Sequence, residues 1–84
     1  MTQMDKALKR LLSRPKDYSW GELRRVLGFF GYTLEYCGRT SGSRVIFRHQ
    51  TAEPITMHAP HPKPILKGYQ ITFIIKRLIK EGFL

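Results

Sequence analysis

The chain has 84 residues, and its 15 lysines and arginines against six aspartates and glutamates give a formal net charge of +9 and a pI near 10.2. This length fits one small domain with a single core, and it excludes a second domain or a doubly wound sheet with a nucleotide site. The 42% hydrophobic and 12% aromatic content exclude a disordered basic tail. We therefore expect a folded cationic module whose favoured partner is a polyanion.

Cysteine usage and hydropathy indicate the compartment. Cys37 is the single cysteine, so the chain forms no internal disulfide and no cysteine-rich zinc site. The first twelve residues are charged and amphipathic rather than typical of a secretory signal, and the apolar runs are too short to span a membrane. These features predict a cytoplasmic protein without membrane contact.

Two short helices are predicted in the first third of the chain. Leucines recur at helical spacing in residues 4–13, and a proline ends that segment. The second helix, residues 20–30, begins where Ser19 and Glu22 have the spacing of a capping box. Gly31 follows as a left-handed terminator.

Three strands are predicted next, at residues 32–36, 43–49 and 55–58. Since side chains alternate along a strand, one sheet face is expected to carry the apolar residues Val45, Phe47, Ile55 and Met57. The opposite face is expected to carry Arg44, Arg48 and His58. Tyr32, Leu34 and Tyr36 share a face of the first strand, where the tyrosines suit either base stacking or the core.

A proline-rich segment, residues 59–67, separates the strands from a last helix at 69–80. The buried stripe of this helix is predicted to be Ile71, Ile74, Ile75, Leu78 and Ile79. The resulting order is α-α-β-β-β-α, in a single domain that spans residues 1–84. We predict an α+β fold in which a three-stranded antiparallel sheet has helices packed on one face and leaves the other face open.

The positive charge is distributed unevenly. Residues 1–38 hold seven basic and four acidic residues, whereas residues 39–84 hold eight basic and two acidic ones. One interpretation is a solvated surface that keeps the protein soluble. The other is a surface that binds a phosphate backbone with little sequence preference. The residues expected to contact that backbone are Arg39, Arg44, Arg48, Lys63 and Lys67.

The three histidines, His49, His58 and His61, fall within thirteen residues. They are compatible with a metal site, with structural hydrogen bonds in the loop, or with acid–base catalysis. A metal site is disfavoured by the positive surroundings and the absence of nearby carboxylates or thiols. In catalysis, a neutral imidazole takes a proton from an RNA 2′-hydroxyl while an imidazolium gives one to the leaving oxygen. Spacing alone does not rank catalysis above a structural role.

Several short motifs together resemble one family. Residues 42–49 (GSRVIFRH) look like the Gly-Ser-His-x-x-Phe motif of HicA toxins. His61, residues 66–68 (LKG) and an apolar helix ending at 80–82 (KEG) resemble that family's second motif and closing helix. The helix entry at 20–23 (WGEL) fits as well. The resemblance covers residues 18–84, and residues 4–14 look like an N-terminal helical extension.

The resemblance implies a double-stranded-RNA-binding-like fold, a toxin that cleaves mRNA without a metal or other cofactor, and neutralisation by a HicB-type antitoxin. The position of the motif histidine is Arg44 here, and a guanidinium stays protonated and cannot act as an ordinary general base. The implied catalytic residues are therefore His58 and His61 with Arg44, and Ser43 joins the basic residues in binding RNA. The alternatives are a non-catalytic or catalytically impaired RNA-binding module, and a protein-interaction domain with an acidic partner.

Overall fold

Three helices and three strands follow one another in the predicted order, and together they form an α+β fold. The computed structural model describes residues 3–36, 44–60 and 62–84. The elements are α1 (Gln3–Leu12), α2 (Trp20–Phe29), β1 (Thr33–Tyr36), β2 (Arg44–Arg48), β3 (Ile55–His58) and α3 (Gly68–Lys80). Where these bounds differ from the predicted ones, they do so by about one residue.

The strands form one antiparallel sheet in the order β1-β2-β3. The predicted division of faces is confirmed, because Val45, Phe47, Ile55 and Met57 are buried against the helical layer. On the opposite face Arg44, Arg48, Thr56 and His58 are exposed. The helices therefore cover one side of the sheet and leave the other side to solvent.

The helical layer buries an apolar stripe of α3 against the sheet. Ile71, Ile74, Ile75 and Leu78 are almost completely buried, as predicted. Ile79 was predicted to join them and this is wrong, since 56% of the residue is exposed. At 100° per residue, Ile79 lies about 90° from the centre of the stripe, so it points along the rim of the core.

An arginine network joins α1 to α2. Arg10 Nε donates to Glu22 Oε2 at 2.5 Å, and Arg10 Nη2 donates to Asp17 Oδ1 at 2.9 Å. The predicted capping box is only half formed. Ser19 Oγ accepts the N–H of Glu22 at 3.1 Å, but the Glu22 carboxylate binds Arg10 instead of the amide of Ser19. Pairing with a cation is the stronger interaction for that carboxylate.

Two tyrosines are buried with their hydroxyls unpaired among the described residues. They are Tyr18, which is fully buried, and Tyr32. Burial raises the pKa of Tyr18 to about 12, and the negative charge of Glu22 adds to the effect. Burial also raises the pKa of Tyr32, with a further contribution from Glu81.

The proline-rich segment is held against the linker between α1 and α2. Ser19 and Ile65 form an antiparallel bridge, in which Trp20 N–H donates to Pro64 O and Leu66 N–H donates to Tyr18 O, both at 2.8 Å. This bridge brings the α3 end of the segment close to the start of α2. Across the described ranges, no helix has the length and apolar character that crossing a bilayer requires.

Candidate functional site

An arginine and a histidine stand side by side on the open face of the sheet. Arg44 is the direct cross-strand partner of His58 in the β2–β3 register. Directly opposed residues of antiparallel strands share a face, with Cβ atoms about 5 Å apart. Both side chains are exposed. The sheet therefore presents an imidazole and a guanidinium together to solvent.

Arg48 shares this face but not this neighbourhood. It lies four residues from Arg44 along β2, which is about 13 Å in an extended strand, and its cross-strand partner is Thr33. Its Nε is ion-paired with the carboxylate of Glu35 on β1. A phosphate at Arg48 therefore has to compete with this carboxylate, whereas Arg44 has no acidic partner among the described residues.

A second group of cations lies around the start of α3. One depression of about 610 Å³ is lined by Lys16, Lys63 and Lys67 together with Pro62, Ile65, Leu66 and Gly68. A neighbouring depression of about 200 Å³ is lined by His58, Ala59, Pro60, Ile65, Lys67, Tyr69 and Gln70. Because Lys67 lines both, the lysine depression is continuous with the surroundings of His58. Lys16 was not predicted, since only the Ser19–Ile65 bridge brings its loop here.

Gln70 fixes the geometry of this region. Its Nε2 donates to His58 O and its Oε1 accepts from Lys67 N–H, both at 3.0 Å. The side chain is buried, so these two bonds connect the end of β3 to the first residues of α3. Sequence reasoning missed Gln70. The available signal was its place three residues after Lys67, where a glutamine commonly caps a helix start.

His49 lies apart from the other candidates and has a structural role. Its Nε2–H donates to Phe30 O at 2.8 Å, and its Nδ1 accepts the N–H groups of Thr51 and Ala52 at 3.1 Å. Two backbone donors on Nδ1 require a ring that is neutral and protonated at Nε2. His49 therefore ties the end of α2 to the turn after β2, which is one of the three roles considered for the histidines.

Three of the sequence-predicted site residues, Arg39, Ser43 and His61, lie outside the described residues. Among those described, Arg44, His58, Lys63 and Lys67 are placed on one continuous surface, and Arg48 is placed at its far end. Within the described ranges, no three histidine, cysteine, aspartate or glutamate side chains are grouped closely enough to hold a metal ion.

Among the residues that the structure describes, the ion pairs of the fold leave the cations of this surface unneutralised. Asp17 and Glu22 pair with Arg10, Glu35 pairs with Arg48, and Glu53 and Glu81 pair with Arg77. No such partner is found, within the described part of the chain, for Arg44, Lys16, Lys63 or Lys67. We define these four residues together with His58 as the cationic track.

Fold and site together define a small, strongly cationic α+β domain with an exposed imidazole–guanidinium pair. A family model described as the HicA toxin of bacterial toxin–antitoxin systems matches residues 20–82. The chain belongs to this family, which makes it a toxin and implies an antitoxin partner. α1 lies outside the matched range. Neither the curated proteins nor the solved structures contain a significant match to the chain.

Proposed function

We propose that this toxin is an endoribonuclease that cleaves mRNA without a metal ion and is neutralised by a HicB-type antitoxin. The observation that carries the proposal is the cross-strand pair of Arg44 and His58, both exposed on the open sheet face. The cytoplasm, where mRNA is translated, is the compartment that this function requires.

The reaction is an in-line attack of a ribose 2′-hydroxyl on the adjacent phosphorus. A neutral imidazole removes the 2′-hydroxyl proton, the new O2′–P bond forms, and the P–O5′ bond breaks. The leaving 5′-oxygen takes a proton from an imidazolium, so the products are a 2′,3′-cyclic phosphate and a 5′-hydroxyl. We assign these two roles to His58 and His61, in either order.

Arg44 serves this reaction as an electrostatic group. A guanidinium stays charged and donates in a fixed fork, which suits two oxygens of one phosphate. Beside His58 it stabilises the negative charge that builds up on the phosphorane.

The rest of the cationic track, with the predicted Arg39 and Ser43, binds the RNA backbone on either side of the scissile phosphate. Lys67 lines the same depression as His58, and Lys63 and Lys16 extend the positive surface along the start of α3. Such contacts are sequence-tolerant and salt-dependent. Arg48 contributes where a phosphate displaces Glu35.

The direct test is cleavage of a long RNA by the purified protein in excess EDTA. Wild type should cleave it, and His58→Ala should reduce the rate by about 10²- to 10⁴-fold because it removes a proton carrier. Thr56→Ala is the matched control, since Thr56 is exposed on the same face of β3 two residues away. Equal rates for wild type and His58→Ala, or intact RNA with both, would contradict the proposal.

A second candidate function is RNA binding without cleavage. It is favoured by the resemblance of residues 42–49 to the family motif, in which Arg44 takes the place of the histidine and cannot act as a base. This module would bind RNA with an affinity that falls steeply with salt, would leave the RNA intact, and would not arrest growth when expressed. Binding by wild type and His58→Ala alike, without products from either, would select this function over the first.

A further inference from the structure

A groove runs along the outer edge of the sheet, between β3 and α3. It encloses about 270 Å³ and is lined by Thr56, Met57 and His58 of the strand and by Tyr69, Gln70 and Phe73 of the helix. Consecutive strand residues point to opposite faces. A groove lined by three consecutive residues therefore follows the strand's edge, where the backbone is accessible, rather than either face.

The backbone of β3 offers unpaired hydrogen-bonding groups along this edge. β3 is the last strand of the sheet, and within the described residues no further strand pairs with its outer side. The carbonyl of His58 accepts from Gln70 on α3, so it points away from β2. Backbone groups alternate along an antiparallel strand, so the N–H and C=O of Thr56 also point outward. An extended chain is the partner that satisfies such groups.

The helical wall of the groove is aromatic and unusually exposed. Tyr69 is 71% exposed and Phe73 is 38% exposed. They are four residues apart on α3 and therefore lie on one face of the helix. Beyond Tyr69 the groove continues into the 200 Å³ depression beside Pro60 and Ile65. Every second side chain of an added strand would bury apolar area against this wall.

The charges at the groove select the kind of strand that fits. No acidic residue is among those that line either depression. Lys67 lines the second depression, and Lys76 lies three residues after Phe73 on α3. Neither lysine has an acidic partner in the described part of the chain. A second copy of this chain would bring another +9 to the same edge, so self-pairing is opposed by repulsion.

We propose that this groove binds a peptide segment of a partner protein, in extended conformation, in which acidic and apolar residues alternate. The segment adds to β3 as a fourth strand through the outward N–H and C=O of Thr56. Its apolar side chains contact Tyr69 and Phe73, and its acidic side chains, on the other face of the added strand, lie in the positive field of a molecule whose net charge is +9. The proposal does not rest on the ribonuclease activity, although a bound strand would cover one side of His58.

The probe is a synthetic eight-residue peptide that alternates glutamate with valine and phenylalanine, titrated into the intact protein by NMR. We expect saturable shifts centred on the amides of Thr56 and His58, and slower hydrogen exchange at Thr56. Phe73→Glu should weaken binding at least tenfold. Phe29→Glu is the matched control, because Phe29 is exposed on α2 and does not line the groove. It should leave the affinity unchanged.

Two further variants separate strand addition from general attraction. A peptide with lysine in place of glutamate should not bind. Thr56→Pro removes the outward N–H while leaving the bonds to β2 in place, and it should abolish binding with the sheet intact.

No binding at millimolar peptide, equal binding to Phe73→Glu and wild type, or concentration-dependent dimers that Phe73→Glu dissociates would overturn the proposal. The proposal would also be overturned if a short RNA displaced the peptide and itself changed the NMR signals of Phe73. None of these measurements uses RNA cleavage, so their outcome does not depend on whether the protein is a ribonuclease.

Discussion

His49 and His58 are nine residues apart and differ in their surroundings. His49 has hydrogen bonds at both ring nitrogens and ring contacts with Tyr32 and Phe83, at centroid distances of 4.9 and 5.2 Å. His58 is exposed, with Arg44 as its cross-strand partner. A ring whose lone pair is occupied by backbone donors cannot accept a proton from a substrate. The neighbouring residues therefore give His49 a structural role and leave the imidazole of His58 accessible.

Sequence alone could place His58 but could not separate these roles. The two-residue period of a strand was enough to put Arg44 and His58 on one face. The role of His49 depends on the carbonyl of Phe30, 19 residues earlier, which no local pattern reveals. The same holds for Lys16, which reaches the site through a bridge between distant loops, and for the ion pair that engages Arg48.

Tyr18 gives a pH-dependent prediction at the residue scale. Its phenol ionises near pH 10 in the unfolded chain and near pH 12 in the fold, so the folded state favours the protonated form. Its contribution to stability is complete below pH 10 and is lost as the pH rises toward 12. Because the pKa differs by about two between the unfolded and folded states, the loss of folding free energy approaches about 3 kcal/mol.

Urea denaturation at pH 7, 10 and 11.5 measures this loss. Tyr18→Phe should change the free energy of unfolding at pH 7 by no more than about 1 kcal/mol, because the buried hydroxyl has no partner within the described residues. Tyr18→Phe should also reduce the decrease in the free energy of unfolding between pH 10 and pH 11.5. An equal decline in wild type and Tyr18→Phe would show that Tyr18 is not its source.

At the scale of elements, patterning and turn chemistry predicted most of the fold. The strand alternation assigned both faces of β2 and β3 correctly, and Gly31 marked the end of α2. Gly31 and Gly82 have φ values of +98° and +85°, which suit glycine. The helical period wrongly predicted that Ile79 is buried, because residue spacing gives the direction of the apolar stripe but not how wide the buried part of it is. The groove beside β3 also escaped prediction, since the sequence does not show how α3 lies against the sheet edge.

The end of α2 provides a matched pair of glycine variants. An alanine Cβ at Gly31 would lie 3.1 Å from His49 Nε2 and would require a left-handed backbone. We expect Gly31→Ala to destabilise the fold by about 2–4 kcal/mol, from strain and the disturbed bond to Phe30. At Gly28, inside α2, a Cβ meets nothing within 4 Å, so Gly28→Ala should stabilise by about 0.5–1 kcal/mol. Urea midpoints measure both changes, and a Gly31→Ala protein as stable as Gly28→Ala would refute the role of His49 as a tie.

At the scale of the whole molecule, the arrangement of charge matters more than its total. Among the described residues, most ion pairs of the acidic side chains are formed with three arginines, Arg10, Arg48 and Arg77. Positive charge without such compensation follows the cationic track from Arg44 past His58 to the start of α3. A polyanion approaching the molecule is therefore attracted to the surface on which the exposed imidazole lies.

In the proposed reaction, His58 helps a ribose 2′-hydroxyl attack the adjacent phosphate beside Arg44, without a metal ion. The most direct measurement compares the cleavage rate of an RNA with that of the same RNA methylated at every 2′-oxygen, both in excess EDTA. Wild type should cleave only the unmethylated RNA and leave 2′,3′-cyclic phosphate ends, while His58→Ala should be slower by at least about 10²-fold. Equal cleavage of the methylated RNA, or an undiminished rate with His58→Ala, would contradict it.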